Sequence, residues 1–106
     1  MRVLLDACIP RGLCHRLSSH EVRTASEMGW ENLDNGDLLD AMAGDFDALV
    51  TVDKRLPHEQ HIGERSFGVI VLRTRSNRLS DLLPLVPDLL AALAALKPAT
   101  VREVSG

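Results

Sequence analysis

The sequence predicts an α/β fold with a mainly parallel sheet of four or five strands. Three short apolar runs, over residues 3–5, 48–52 and 67–72, lack the alternation of a strand that is exposed on one face. Continuous apolar runs of this kind are typical of strands that are buried on both faces. Because helical patterns separate the three runs, they indicate βαβ units and parallel pairing.

The segments between these runs carry their own signals. Pro10 suits the first turn of a predicted helix over residues 11–17, because its missing N–H costs nothing there. Residues 21–24 predict a second, shorter strand, and Gly29 closes a helical turn over residues 25–28.

The clearest helix signal follows that turn. Asp34 is predicted to cap the helix, with Asp37 three residues on in an aspartate version of the capping box. Gly44 lies where the helix should end. The apolar stripe of the helix is expected on Leu38, Leu39 and Met42.

The second half of the chain adds helical segments and an edge strand. Residues 56–61 are predicted to be irregular or a short helix. The Leu/Ala-rich stretch over residues 82–96 predicts a helix that is bent or restarted near Pro84 and Pro87. It carries apolar residues on nearly every face, so it is expected either to be buried or to offer a surface to a partner chain. Residues 101–104 predict a last edge strand.

Composition limits the class of protein. The chain, residues 1–106, has the length of a single domain with its own core. A net charge of −3 and an aromatic content of 3% argue against a nucleic-acid coat protein or a base-stacking platform. Two cysteines do not make a disulfide framework, and neither a signal peptide nor a membrane-spanning segment is visible. We therefore expect a cytoplasmic protein with reduced thiols.

Two of the predicted strands end in an aspartate. Asp6 follows the first apolar run and Asp53 follows the second, each just beyond the carboxyl end of its strand. Ligands of open parallel sheets bind at this edge, so we expect both carboxylates in one crevice. Asp37, in the first turn of a helix, and Asp40, one turn further on, could reach the same space.

Such a group of acids suggests a metal site. Several carboxylates in one crevice need a counter-charge, and Mg²⁺ or Mn²⁺ prefers oxygen ligands. A cation of this kind activates water and stabilises the charge that grows on a phosphate, which makes phosphodiester hydrolysis the leading hypothesis. In the structural alternative, Asp6 and Asp53 form Asx-turns or cap the helices that follow them. Asp37 is then favoured by the helix dipole, and Asp40 lies on a solvated helix face.

Basic residues follow the same strands. Lys54 comes directly after Asp53, and Arg73 and Arg75 follow the third apolar run. Bases at this edge could contact phosphates, and the alternative is ordinary surface charge.

Five sequence blocks stand in a specific order and spacing: RVLLDACIPRGL, HEVRTASEMGW, NGDLLDAMAGDFDALVTVDKRLPHEQ, VIVLRTRSNRL and LLPLVPDLLAALAALKP. Over almost the whole chain they resemble the small PIN-like proteins. The resemblance implies a compact three-layer α/β/α fold and a Mg²⁺- or Mn²⁺-dependent ribonuclease with a few acids in a shallow pocket. It implies Asp6 as the first-strand acid, Asp53 as the acid of the TxDK motif and Asp37 as the helix acid. Many bacterial PIN proteins are toxins that a cognate antitoxin holds silent.

The chain departs from this family at one position, and two functions stay open. Relatives often have Asp-Glu after the first strand, where this chain has Asp6-Ala7, and no clear fourth acid of a full PIN site stands near VLRTRSN. In the first, the protein is a metal-dependent endoribonuclease that cleaves RNA, and it could be the toxin of a toxin–antitoxin pair. The second is a binding module that kept the fold, lost the chemistry and meets a protein partner, or a second copy of itself, through its apolar helix surface. A receiver-like domain fits less well, because its acid and lysine lie on separate strands, whereas Lys54 abuts Asp53.

Overall fold

The sheet of the computed structural model, which describes residues 1–105, consists of five strands that all run parallel. In chain order the strands are Arg2–Leu5 (β1), Glu21–Thr24 (β2), Ala48–Thr51 (β3), Gly68–Arg73 (β4) and Val101–Ser105 (β5). Their order across the sheet is β2-β1-β3-β4-β5. The prediction of a mainly parallel sheet of four or five strands is confirmed, and the two short strands predicted from weaker signals form its edges.

Helical segments connect the strands. The α-helices within residues 1–105 are Asn35–Met42 (α1), Leu56–Glu59 (α2), Leu79–Leu82 (α3) and Val86–Ala95 (α4). The 3₁₀ helices of this part of the chain are Arg11–Leu17, Ile62–Glu64 and Leu83–Leu85. The predicted late helix is thus divided into α3, a 3₁₀ turn and α4. Pro84 and Pro87 lie in the first turns of the last two pieces, because proline lacks the N–H that an uninterrupted helix needs.

The core has two halves, one on each face of the sheet. Successive residues of a strand point to opposite faces, so Val3 and Leu5 pack on one side and Leu4 packs on the other. The first half is completed by the 3₁₀ helix Arg11–Leu17 and by α4, and the second half by α1 and Phe67. This three-layer α/β/α packing explains why the apolar runs do not alternate.

Asp34 caps α1 as the sequence predicts, but the reciprocal bond of a capping box, from the Asp34 N–H to the Asp37 carboxylate, is absent among residues 1–105. The Asp34 carboxylate accepts the backbone N–H of Asp37 at 2.8 Å, which satisfies one of the free N–H groups at the start of the helix. After the helix, Gly44 adopts a φ of +89°, a left-handed conformation that glycine tolerates without steric cost. The buried side chains of α1 are the predicted stripe of Leu38, Leu39 and Met42.

Helix α4 buries one face and exposes the other. Leu89, Ala92 and Leu93 are buried against the sheet, so the Leu/Ala-rich stretch contributes to the core. The outward face of α4 carries the exposed residues Ala91, Ala94 and Ala95. Among residues 1–105, no helix combines the length and the apolar character that crossing a membrane requires.

Gly68→Ala is expected to lower the free energy of unfolding by about 1–3 kcal/mol, the usual cost of overpacking a core. Gly68 begins β4 and is buried, and a methyl group there would lie only 2.6 Å from Cγ of Leu96. Urea denaturation followed by circular dichroism measures the change. Gly63→Ala is the matched control, because a Cβ there meets no heavy atom within 4 Å. An equal decrease in the free energy of unfolding of the two variants would contradict this account of the packing.

Candidate functional site

The carboxyl ends of β1 and β3 lie side by side and bring two aspartates to one edge of the sheet. Leu5 of β1 is in register with Val50 of β3, and the Asp6 N–H continues this pairing by donating to the Val50 carbonyl at 2.9 Å. Asp53 follows β3 after one intervening residue. Asp6 and Asp53 are both half-buried at this edge, which is where parallel sheets bind their ligands.

A buried threonine connects the two aspartates. The Thr51 hydroxyl, with no exposure to solvent, donates to Oδ2 of Asp6 at 2.7 Å and accepts the N–H of Asp53 at 3.1 Å. A hydroxyl has one hydrogen to donate, so these contacts fix its direction. Thr51 therefore sets the orientation of the Asp6 side chain and the position of the Asp53 backbone together. Thr51 is part of the TxDK motif, but the sequence assigned it no role of its own.

The Asp6 carboxylate keeps acceptor capacity after these contacts. Its Oδ1 accepts the N–H of Ala7 at 2.8 Å, and its Oδ2 accepts the Thr51 hydroxyl. Each carboxylate oxygen can accept two hydrogen bonds, so the pair of oxygens has capacity beyond these two contacts, part of which the Cys8 thiol can use.

The Asp53 carboxylate is more heavily engaged. Its Oδ1 accepts the N–H of Arg55 at 2.9 Å, which is the Asx-turn that the structural alternative predicted. Its Oδ2 accepts from Nδ2 of Asn35, the first residue of α1, at 3.3 Å. The Arg55 side chain lies 3.7 Å away and is 81% exposed, so its ion pair contributes little.

The other predicted acids do not join this pair. Asp37 is exposed, and Asp40 pairs with Nη1 of Arg65 at 2.7 Å. Each residue of a helix turns by about 100°, so Asp37 lies about 200° around α1 from Asn35, whose side chain reaches Asp53. Across residues 1–105, no three side chains of the His, Cys, Asp or Glu types are grouped to hold a metal ion. The crevice of three or four carboxylates that we expected is therefore a pair, Asp6 and Asp53.

The predicted bases line a cavity of about 460 Å³ beside the aspartates. Its lining consists of Lys54, Arg73, Thr74, Arg75, Ser80, Asp81, Pro84 and Leu85. The three basic residues singled out from the sequence thus lie around one concave space. Nη1 of Arg73 is 3.2 Å from both carboxylate oxygens of Glu103, and the Asp81 carboxylate accepts the Ser76 hydroxyl. Lys54 and Arg75 form no ion pair with a side chain of residues 1–105.

The loop after β4 is tied both to itself and to the loop after β1. The Thr74 hydroxyl donates to the Ser76 carbonyl at 2.9 Å, and Nδ2 of Asn77 donates to the Cys8 carbonyl at 2.8 Å. These bonds hold the wall of the cavity next to the segment that follows Asp6. The polar turn RTRSNR indicated a loop, but it did not indicate these partners.

The Cys8 thiol lies beside Asp6 and Thr51. Burial raises the pKa of the Cys8 thiol above its ordinary value, a hydrogen bond at the Val52 backbone opposes that rise, and the negative charge of Asp6 adds to it. Burial and the charge of Glu27 likewise raise the pKa of Cys14. Both thiols are thus more protonated at a given pH than ordinary cysteines.

Iodoacetamide is expected to alkylate Cys8 and Cys14 more slowly in the folded protein than in the urea-unfolded chain at the same pH. The thiolate is the reactive form, and a raised pKa lowers its fraction, so the rate should reach half of its maximum at a higher pH in the folded protein. Mass spectrometry of the modified peptides measures each cysteine separately. Equal rate–pH profiles for the folded and unfolded chains would contradict the raised pKa values.

The fold and the site together define an α/β protein with a parallel sheet, two linked aspartates at its carboxyl edge and a basic cavity beside them. Comparison with protein-family models, with curated proteins and with solved structures found no match. Of the predicted architecture, the structure shows an α/β fold with a five-stranded parallel sheet.

Proposed function

We propose that this chain is a metal-dependent endoribonuclease of the PIN-like type. The observation that carries the proposal is the pairing of Asp6 with Asp53 through Thr51, at the sheet edge that also holds the basic cavity. Oxygen ligands next to positive side chains form the arrangement that phosphodiester hydrolysis needs, since a phosphate must be bound while negative charge develops on it.

The donor types suit a hard divalent cation. Mg²⁺ commonly binds through one or two carboxylates and completes its shell with waters and substrate phosphates, so two aspartates are a sufficient protein contribution. Asp6 and Asp53 would hold Mg²⁺ or Mn²⁺, and we assign no role at the ion to Asp37, which is exposed and lies on a different side of α1 from Asn35. When bound, the ion would supply the positive charge that activates a water and stabilises the phosphate.

The residues around the pair have orienting roles in this proposal. Thr51 holds the Asp6 carboxylate, and the Asn35 amide and the Arg55 N–H hold that of Asp53. Fixed carboxylates need no reorganisation before they act, which is the basis of electrostatic preorganisation. Lys54, Arg73 and Arg75 would attract the phosphate backbone to this edge.

The biological setting belongs to the same proposal. We propose that the protein acts on RNA in the cytoplasm. It could be a toxin whose activity a small antitoxin inhibits. The exposed alanine face of α4 is the surface that we propose for a protein partner, either an antitoxin or a second copy of the chain.

A second function is favoured by specific contacts. Asp53 already accepts two hydrogen bonds through separate oxygens, and Ala7 stands where relatives of the PIN-like type often have glutamate. With a pair of acids rather than a cluster, the chain could act as a binding module that meets a protein partner without cutting RNA. This binding module is the alternative that the first experiment must separate from the enzyme.

That experiment is a titration of the purified protein with Mg²⁺ and Mn²⁺, in which metal binding is followed by calorimetry and cleavage is followed on a mixed RNA pool. The enzyme requires both metal binding and metal-dependent cleavage, with cleavage lost in excess EDTA. The binding module requires that no RNA is cleaved at any metal concentration. Single-stranded DNA in a parallel reaction tests the choice of RNA as the substrate.

A further inference from the structure

We propose that the cavity beside the aspartates binds one nucleotide unit, with its phosphate on Lys54 and Arg75 and its sugar or base against Pro84 and Leu85. The choice of a nucleotide as the ligand rests on the proposed nuclease function, which it deepens by assigning a subsite. The binding itself requires neither metal nor cleavage, so it can be tested separately.

The charge of the cavity favours an anion. Its lining holds three cations and a single carboxylate, and that carboxylate, Asp81, accepts the hydroxyl of Ser76. Arg73 is already paired with Glu103. Lys54 and Arg75 have no such partner among residues 1–105, and both are exposed, so their charges are available to a phosphate.

The lining also contains neutral groups that suit the rest of a nucleotide. Ser80 is part of the lining, and the apolar side is formed by the exposed Pro84 with the largely buried Leu85 behind it. A volume of about 460 Å³ is larger than a phosphate alone requires and lies within the roughly 300–1,000 Å³ that is usual for small-molecule sites. The combination of a cationic side and an apolar side therefore fits a nucleotide better than an inorganic anion.

The position of the cavity places this nucleotide next to the proposed reaction site. Lys54 directly follows Asp53 in sequence, and Arg73, Arg75 and Thr74 come from the end of β4, the strand beside β3. A nucleotide held here would therefore flank the phosphate that lies against the aspartates, and it would set the direction in which the strand crosses the sheet edge.

The test measures binding of 5′-AMP, adenosine and inorganic phosphate to the full chain by calorimetry in EDTA at low salt. We expect 5′-AMP to bind more tightly than either of the other two. Lys54→Gln and Arg75→Gln should each weaken 5′-AMP binding by about tenfold, since each removes one charged contact to the phosphate. Arg73→Gln should have a smaller effect, because Glu103 already neutralises that side chain.

Exposed cations away from the cavity provide matched controls. Lys97→Gln and Arg16→Gln remove the same charges as the two test variants and should leave 5′-AMP binding unchanged. Equal losses in the test and control variants would overturn the proposal in favour of general charge attraction. Adenosine binding as tightly as 5′-AMP, inorganic phosphate binding as tightly as 5′-AMP, or no binding of 5′-AMP would each overturn it as well.

Failure of the subsite and failure of the nuclease proposal give different results. If 5′-AMP binds through Lys54 and Arg75 while no RNA is cleaved, the subsite is supported and the nuclease proposal fails. If RNA is cleaved but 5′-AMP does not bind, the subsite fails and the nuclease proposal stands.

Discussion

Asp6→Asn is expected to reduce metal-dependent RNA cleavage by at least about 100-fold, because it removes one of the two carboxylates that would hold the ion. Changing a residue that only supports a metal ligand commonly costs 10–100-fold, so losing a ligand itself should cost more. Asparagine is close to aspartate in size, and its side-chain oxygen can still accept the Thr51 hydroxyl. The fold should therefore survive the change, and the metal affinity measured by calorimetry should fall together with the cleavage rate.

The matched control for this variant is Asp45→Asn. Asp45 is exposed in the turn after α1 and is remote from the sheet edge that carries the pair, so the same loss of charge should leave cleavage and metal binding at the wild-type level. Thermal unfolding of both variants shows whether the domain stays intact. If a folded Asp6→Asn protein cleaved RNA at the wild-type rate, the active site would not lie at this edge of the sheet.

Much of the fold could be predicted because its signals are local. The apolar run before Asp6 marks β1, and Asp34 marks the start of α1 through a bond to a residue only three positions away. The edge strands Glu21–Thr24 and Val101–Ser105 also agreed with the prediction, although each has a single buried residue. Local signals did not distinguish a 3₁₀ helix from an α-helix, since the helix predicted at residues 11–17 is a 3₁₀ helix.

The site could be predicted only in part, because its contacts are not local. The aspartates and bases are visible in the sequence since each follows an apolar run. The bonds that assemble them join Thr51 to Asp6 across 45 positions, Asn35 to Asp53 across 18 and Asn77 to Cys8 across 69. Those partners depend on β1 lying next to β3, and the order of strands is not a property of any single segment.

Asp37 illustrates a different limit of the sequence. Its position in the first turn of α1 follows from the capping pattern and is correct. The side of the helix that faces the sheet edge depends on how α1 packs, and its packing is set by Leu38, Leu39 and Met42. This packing leaves Asn35 as the residue of α1 that reaches Asp53 and leaves Asp37 in solvent.

Thr51→Val is expected to lower metal affinity and cleavage by about 10–100-fold, the usual cost of removing a group that orients a metal ligand. Valine keeps the shape of threonine but deletes the hydroxyl, so Oδ2 of Asp6 loses a donor and the N–H of Asp53 loses an acceptor. The unpaired groups should also lower the free energy of unfolding by about 1–3 kcal/mol. Calorimetry with Mn²⁺, cleavage assays and urea denaturation measure the three quantities.

Thr51→Ser separates orientation from packing at the same position. Serine keeps the hydroxyl and loses a methyl group in a buried site, so it should lose stability while retaining metal affinity close to that of the wild type. If Thr51 had only a structural role, the metal affinity would fall together with the stability in both variants. If Thr51→Val binds Mn²⁺ as tightly as the wild type, the hydroxyl does not orient the aspartates for a metal.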